Sequence, residues 1–337
     1  MKLKTTALLG AAALALMAGS ASAGDLACLI TKNNTNPFFV KMKEGAEAAA
    51  AAAGLDFQAY AGEKDGDAAP QITAIENCMA AGAKGILITA SNDSVGPALK
   101  EARAAGILVI ALDTPLADAE AQDMTFATDN FEAGLRIGKW AAAQLGAEAA
   151  NAKIAMLDIN KDNISVDVAR DTGFLVGFGI EVPDLTVMGS ETDARVVGHE
   201  SSDANPEGGL RAMETLLAKE PGINVVYTIN EPAAEGAFQA LKAAGKEGQA
   251  LIVSVDGGCP GIASVKSGVI GATSQQDPLL MAGKGIEAIA AFAKDGTKPV
   301  ASEGLSFFNT GVNLVTDKPA EGVESIDSTK GTELCWG

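Results

Sequence analysis

The sequence predicts an α/β protein of two similar lobes, each a parallel sheet flanked by helices. Three observations predict it. Short β-rich runs alternate with Ala-rich helical stretches, the runs are apolar throughout, and the two halves repeat one plan. Apolar strands joined by helices belong to parallel sheets covered on both faces. The repeat is legible in residues. GILITASND, a helix and AAGILVIALDTP in the first half match VVYTINEP, a helix and AAGKEGQALIVSVDGG in the second.

In the first half, strands are expected over residues 26–31, 56–61, 85–90, 107–112 and 124–128, with helices over 37–53, 69–81, 95–105 and 131–145. Asn36 is a good N-cap, and Pro37 suits the first helical position, where its missing N–H is no loss. In the second half, strands are expected over 153–158, 185–189, 225–229, 250–255 and 269–273, with helices over 166–178, 206–218, 233–244 and 279–293. Two last strands, 305–308 and 312–315, cross between the lobes again. The polar tail 316–337 is expected to be anchored by Cys335.

The first 23 residues read as an export leader. Lys2 and Lys4 precede a short apolar core over 8–17, and Ala21-Ser22-Ala23 forms a cleavage site. The core is too short for a permanent anchor, and Gly24 rather than a cysteine follows the expected cut, which argues against a lipid anchor. Removing 23 of 337 residues leaves 314, enough for two domains. The whole chain carries a formal charge of −18, and loss of the two leader lysines makes it more negative. Such a surface repels phosphate backbones and anionic lipid, so nucleic acid is not an expected partner. In an exported chain, Cys28, Cys78, Cys259 and Cys335 suggest two disulfides. Cys28–Cys78 and Cys259–Cys335 are favoured, because each pair then stays within one lobe.

Ligands of open α/β sheets bind beyond the carboxyl ends of the strands. Asp113 and Asp256 end equivalent strands of the two halves, and Asn230 ends another. Carboxylates accept charge-assisted bonds from hydroxyls, and Asn both donates and accepts; this suits the rim of a sugar. Phe38 and Phe39 are neighbours on one helix and cannot both face the core behind it, so at least one ring is expected in the cleft. Asn130 stands at a helix entry, Asp167 and Arg170 in the first turns of another helix, and Gln276, with Gln275 as a competitor, after a strand.

Enzyme signatures are missing. The first βα turn has no glycine, which removes the dinucleotide fingerprint, and neither a phosphate-binding loop nor a GxSxG elbow is present. His199 is the only histidine and reads as a surface residue in a polar loop. Asp65-Gly66-Asp67 reads as a turn, because the calcium-loop pattern around it is incomplete. No metal or cofactor is expected.

NPFF, LDTP, ATDN, RDTGF, INEP, VDGG and QQDP, in that order and behind a leader, resemble the ribose-type periplasmic sugar-binding proteins of ABC importers. Through FATDNFEAG, DGGCPG, GATSQQ and the ELCWG tail, the chain looks most similar to the fructose-binding proteins among them. The resemblance implies a type I periplasmic binding protein with a three-strand hinge. One lobe would comprise 24–128 with about 277–308, and the other 129–276 with about 309–337. It implies capture of a monosaccharide, fructose favoured, by hinge closure, and delivery to an inner-membrane ABC permease without catalysis. A monomer in the periplasm is expected, with a chemoreceptor as a further compatible partner. By motif, Asn36, Phe38, Phe39, Asp113, Asn130, Arg170 with Asp167, Asn230, Asp256 and Gln276 would line the cleft. Two positions depart from the ribose pattern: Thr114 and Val168 stand where arginines are expected, which argues against ribose itself.

Overall fold

The computed structural model describes residues 24–337; the expected leader lies outside them. In the first lobe run β1 (Leu26–Thr31), α1 (Pro37–Ala53), β2 (Asp56–Ala61), α2 (Ala69–Ala80), β3 (Gly85–Ile88), α3 (Gly96–Ala104), β4 (Leu108–Leu112) and β5 (Met124–Ala127). Next come α4 (Asn130–Leu145), β6 (Ile154–Asp158), α5 (Ser165–Phe178), β7 (Val196–Ser201), α6 (Pro206–Lys219), β8 (Val225–Thr228), α7 (Glu231–Ala243), β9 (Leu251–Asp256), α8 (Cys259–Ser267) and β10 (Ala272–Gln275). The chain ends in α9 (Pro278–Asp295), β11 (Phe308–Asn309), β12 (Asn313–Val315) and α10 (Ser328–Leu334).

Two six-stranded sheets result, ordered β11-β5-β4-β3-β1-β2 and β12-β10-β9-β8-β6-β7. All pairings are parallel except β10 with β12. β1, β3, β4, β6 and β8 are buried along their whole length, as strands covered on both faces must be. On the first sheet, Ile75, Cys78 and Leu99 fill one face, while Met42 of α1 and Met281, Ile286 and Ile289 of α9 fill the other. On the second, Trp140, Phe174 and Tyr227 face Met213, Leu216 and Leu241 across the strands.

The chain crosses between lobes three times: from β5 to α4, from β10 to α9, and from β11 to β12. α4 and α5 lie so close that a Cβ on Gly134 would collide with the carbonyl oxygen of Arg170, and one on Gly173 with that of Phe131. Glycine permits this approach of two backbones, and it fixes α5 against the first crossing. Disulfides join Cys28 to Cys78 and Cys259 to Cys335.

Some expectations need correction. Residues 185–189 form no strand. Thr186 bonds to Asp184 through both its amide and its hydroxyl, and Leu185 is exposed. The strand of that region is β7, whose sequence VVGHES is too polar to announce itself, because it is an edge strand and only half-buried. Helices α8 and α10 were not anticipated. His199 is on β7 rather than in a loop, with both ring nitrogens held by carboxylates.

Candidate functional site

Where the two sheets present their carboxyl ends, a small pocket of about 30 Å³ lies between the lobes. Seven of the ten expected residues line it: Asn36, Phe38, Phe39, Asp113, Arg170, Asn230 and Asp256. It adjoins a larger cleft of about 800 Å³ that both lobes also line, with Asn36, Asp65, Ala204 and Asp256 shared.

Each side chain is held by the element that ends beneath it. Asn36 caps α1, its Oδ1 accepting from Phe38 N–H at 3.0 Å, and so orients the first turn that carries both rings. Phe38 meets Phe39 edge-on at 5.6 Å and Trp336 at 5.5 Å. Asn230 caps α7 and donates from Nδ2 to the Ala204 carbonyl at 3.1 Å. Asp113 and Asp256 both adopt positive φ, 60° and 137°. At Asp113 the chain closes a three-residue turn, with Thr114 N–H donating to the Leu112 carbonyl at 2.6 Å. Side chains other than glycine rarely adopt such backbone, and where they do the conformation is often functional. Here it sets a carboxylate at the end of equivalent strands in the two lobes.

Arg170 joins these parts. Its Nε donates to Asn130 Oδ1 at 2.8 Å, Nη1 to the Ile229 carbonyl at 3.0 Å, and Nη2 to Asp113 Oδ1 at 3.2 Å. Asp256 Oδ1 lies 3.8 Å from Nη1 and accepts from Gln276 Nε2 at 3.1 Å. A second tie across the lobes runs from the Ser165 hydroxyl to the Pro115 carbonyl.

Burial pushes Asp256 up from 3.8 to about 7, against the pull of Arg170. Neighbouring Glu231 rises from 4.5 to about 8, first through burial and then through the charge of Asp256. Glu231 accepts from the amides of Gly257 and Gly258 and from the Thr273 hydroxyl, and so shapes the turn that carries Asp256. Asp65 is also raised, mainly by burial, with Lys32 opposing.

Three expected residues do not line the cavity. Asn130 and Gln276 act through Arg170 and Asp256. Asp167 does not face the cleft. It turns into the second lobe, where its Oδ2 accepts from Ile159 N–H at 2.7 Å, and burial lifts it well above the carboxylate range. The free amides beyond β6 draw it there. Thr114, in place of an arginine, donates its hydroxyl to Asp113 Oδ2 at 2.9 Å, while Arg170 brings the cation to Asp113 despite the buried Val168.

Sequence reasoning missed Lys32, Asp65 and Trp336. Lys32 lines the cavity and is only 2% exposed. It directly follows β1, so the rule that picked the strand-end acids would have found it. Asp65 reads from the sequence as a plain turn residue, yet it lines the pocket. Trp336 sits in the tail, and its Nε1 donates to the Gln276 carbonyl at 2.8 Å. Cations and carboxylates thus face each other across the pocket, around positions that suit a neutral polyhydroxyl compound: carboxylates accept from its hydroxyls, and Lys, Arg and Asn donate to its oxygens.

A family model described as "Periplasmic binding protein domain" matches residues 27–298. The ribose import binding protein of Haemophilus influenzae is 32% identical over 285 residues, 84% of this chain and 91% of the relative. The D-allose-binding periplasmic protein of Escherichia coli is 27% identical, over 83% and 88% of the two chains. Among solved structures, an ABC transporter periplasmic solute-binding protein from Actinobacillus succinogenes with bound D-allose superposes with a TM-score of 0.74, at 23% identity, over 92% of this chain and 99% of that one.

Proposed function

The chain belongs to the family of periplasmic binding protein domains, and from that premise we propose that it captures a monosaccharide and delivers it to an ABC permease of the inner membrane. One observation carries the reading. Strand-end acids of both lobes, the α1 rings and the Arg170 guanidinium converge on one small pocket that adjoins the larger cleft between the lobes. A sugar touching both lobes favours the closed arrangement by the difference in its affinity for the closed and open forms. Rings supply stacking area. The polar groups reject analogues that lack a hydroxyl, since a buried partner would then stay unpaired.

Fructose is the favoured ligand, on the motif likeness and on Thr114 and Val168 standing where ribose-type arginines are expected. Ribose and allose form the second reading, favoured by the names of the relatives. The lobes of this reading are 24–128 with 277–308, and 129–276 with 309–337. The protein works as a periplasmic monomer after leader removal, performs no catalysis, and is free to present its closed form to a chemoreceptor as well.

Calorimetry on protein unfolded and refolded to strip bound sugar tests this. Fructose, ribose, allose, fucose and galactose would be titrated in turn. Saturable binding of one sugar near one equivalent supports the reading. Heat with none of them, or release of a cleaved or isomerised product, sinks it.

A further inference from the structure

Apart from the sugar cavity, acidic side chains of three elements converge on the single histidine. His199 Nδ1 lies 2.8 Å from Asp158 Oδ2 and 3.4 Å from Asp171 Oδ2, and Nε2 lies 2.9 Å from Glu191 Oε1. Asp158 ends β6, Asp171 stands on α5, His199 is on β7, and Glu191 comes from the loop between α5 and β7. None of the four lines the cleft.

The charges in this cluster do not balance. A doubly protonated imidazole serves one carboxylate through each nitrogen, and Asp158 and Glu191 take both. Asp171 remains. Its side chain is fully buried and neither of its oxygens has a hydrogen-bond partner; Asp158 Oδ1 is unpartnered as well. A buried carboxylate without a partner is strongly disfavoured, so a positive charge or a proton belongs with it.

We propose that His199, Asp158 and Asp171 hold a divalent first-row transition cation of the zinc type. Nδ1 and one oxygen of each aspartate lie within 4.8 Å of one another, a span that fits ligands around one ion at bonds of about 2.0–2.2 Å. Glu191 then accepts the Nε2–H and fixes the tautomer, the outer hydrogen bond that metal-bound imidazoles make. The unpartnered second oxygens of Asp158 and Asp171 are free to complete the coordination. An imidazole nitrogen favours zinc over magnesium or calcium, which take oxygen. Binding sends the Nδ1 proton to solvent, so affinity falls as pH falls. The ion would tie β6, α5 and β7 to the Glu191 loop.

Chelator-stripped protein, dialysed against zinc chloride at neutral pH, tests this by metal analysis and thermal melting. Wild type is expected to retain about one zinc per chain and to gain roughly 5 °C in Tm at a hundredfold excess over Kd. Asp171→Asn and His199→Gln, which keep the side-chain volumes, should lose both effects while binding sugar as before. Zinc uptake by wild type no greater than by the variants overturns the proposal. So does a melting temperature that zinc leaves unchanged; Asp171 then carries a proton, and Asp171→Asn melts no lower than wild type.

Discussion

Arg170 Nη2 lies 3.2 Å from Asp113 Oδ1, although Asp113 ends a strand of the first sheet and Arg170 stands on a helix packed against the second. Both side chains are nearly dry, at 6% and 5% exposure. The pair is therefore a tie between lobes that is formed only when they meet, and it is adjacent to the cavity.

Truncating Arg170 leaves Asp113 and Asp256 without the guanidinium that contacts both. Losses of roughly 2–5 kcal/mol are typical when one partner of a buried, hydrogen-bonded charge pair is removed. Arg170→Met should thus weaken sugar binding on the order of 100-fold in calorimetry. Arg170→Lys keeps the charge but not the fork and should fall between. Wild-type affinity in Arg170→Met would remove Arg170 from the site.

Backbone conformation separates folding from binding at Asp113. Asn tolerates positive φ and β-branched residues do not, so Asp113→Asn should melt close to wild type, and Asp113→Val about 1–3 kcal/mol lower in stability. Both should bind sugar poorly. Equal melting of the two variants would show that the turn at φ 60° exacts no strain.

Stability should fall from mild acid to mild base. Asp256 and Glu231 are raised in the folded protein, to about 7 and about 8, so the fold holds protons there that the unfolded chain has released above pH 4 to 5. Their contribution is present below the unfolded values and is lost as pH rises through the folded ones. His199, raised from 6.5 to about 11 by its bonds to Asp158 and Glu191 despite burial, acts in the same direction above pH 6.5. Melting at pH 5.5 should exceed melting at pH 8.5 in metal-free buffer; a flat or rising profile contradicts these shifts.

Trp336 should report on the cleft. It contacts Phe38 and is held by the Cys259–Cys335 disulfide and by Cys259 N–H donating to its carbonyl at 2.9 Å. The chain has two tryptophans, so Trp140→Phe leaves Trp336 as the sole one, and its emission should change on sugar addition. Cys259→Ser with Cys335→Ser should lower stability by about 2–4 kcal/mol and weaken that response. An unchanged emission spectrum at saturating sugar would detach the tail from the cleft.

The fold was legible because parallel strands buried on both faces need unbroken apolar runs, and LACLIT, LVIAL and IAMLD are such runs. β7 was illegible for the converse reason: half-buried at a sheet edge, VVGHES carries no such signal. In the site, strand-end position exposed Asp113, Asn230 and Asp256. The orientation of Asp167 depended on which amides beyond β6 lacked partners, and the role of Trp336 on how its ring packs against Phe38 once the expected Cys259–Cys335 bridge holds the tail. Both facts are three-dimensional, and spacing does not encode them.

The late return of α9 and β11 to the first sheet has a bearing on biogenesis. Met281, Ile286 and Ile289 cover Leu29 and Leu87, yet they are synthesised well over a hundred residues after those strands. Until they emerge, one face of the first sheet is complete, but the other is covered by α1 alone and keeps part of its apolar surface bare. The first-made portion therefore closes its second face only when α9 is available, and a ribosome-stalled fragment ending before residue 278 should be more sensitive to protease and more prone to aggregate than the full chain.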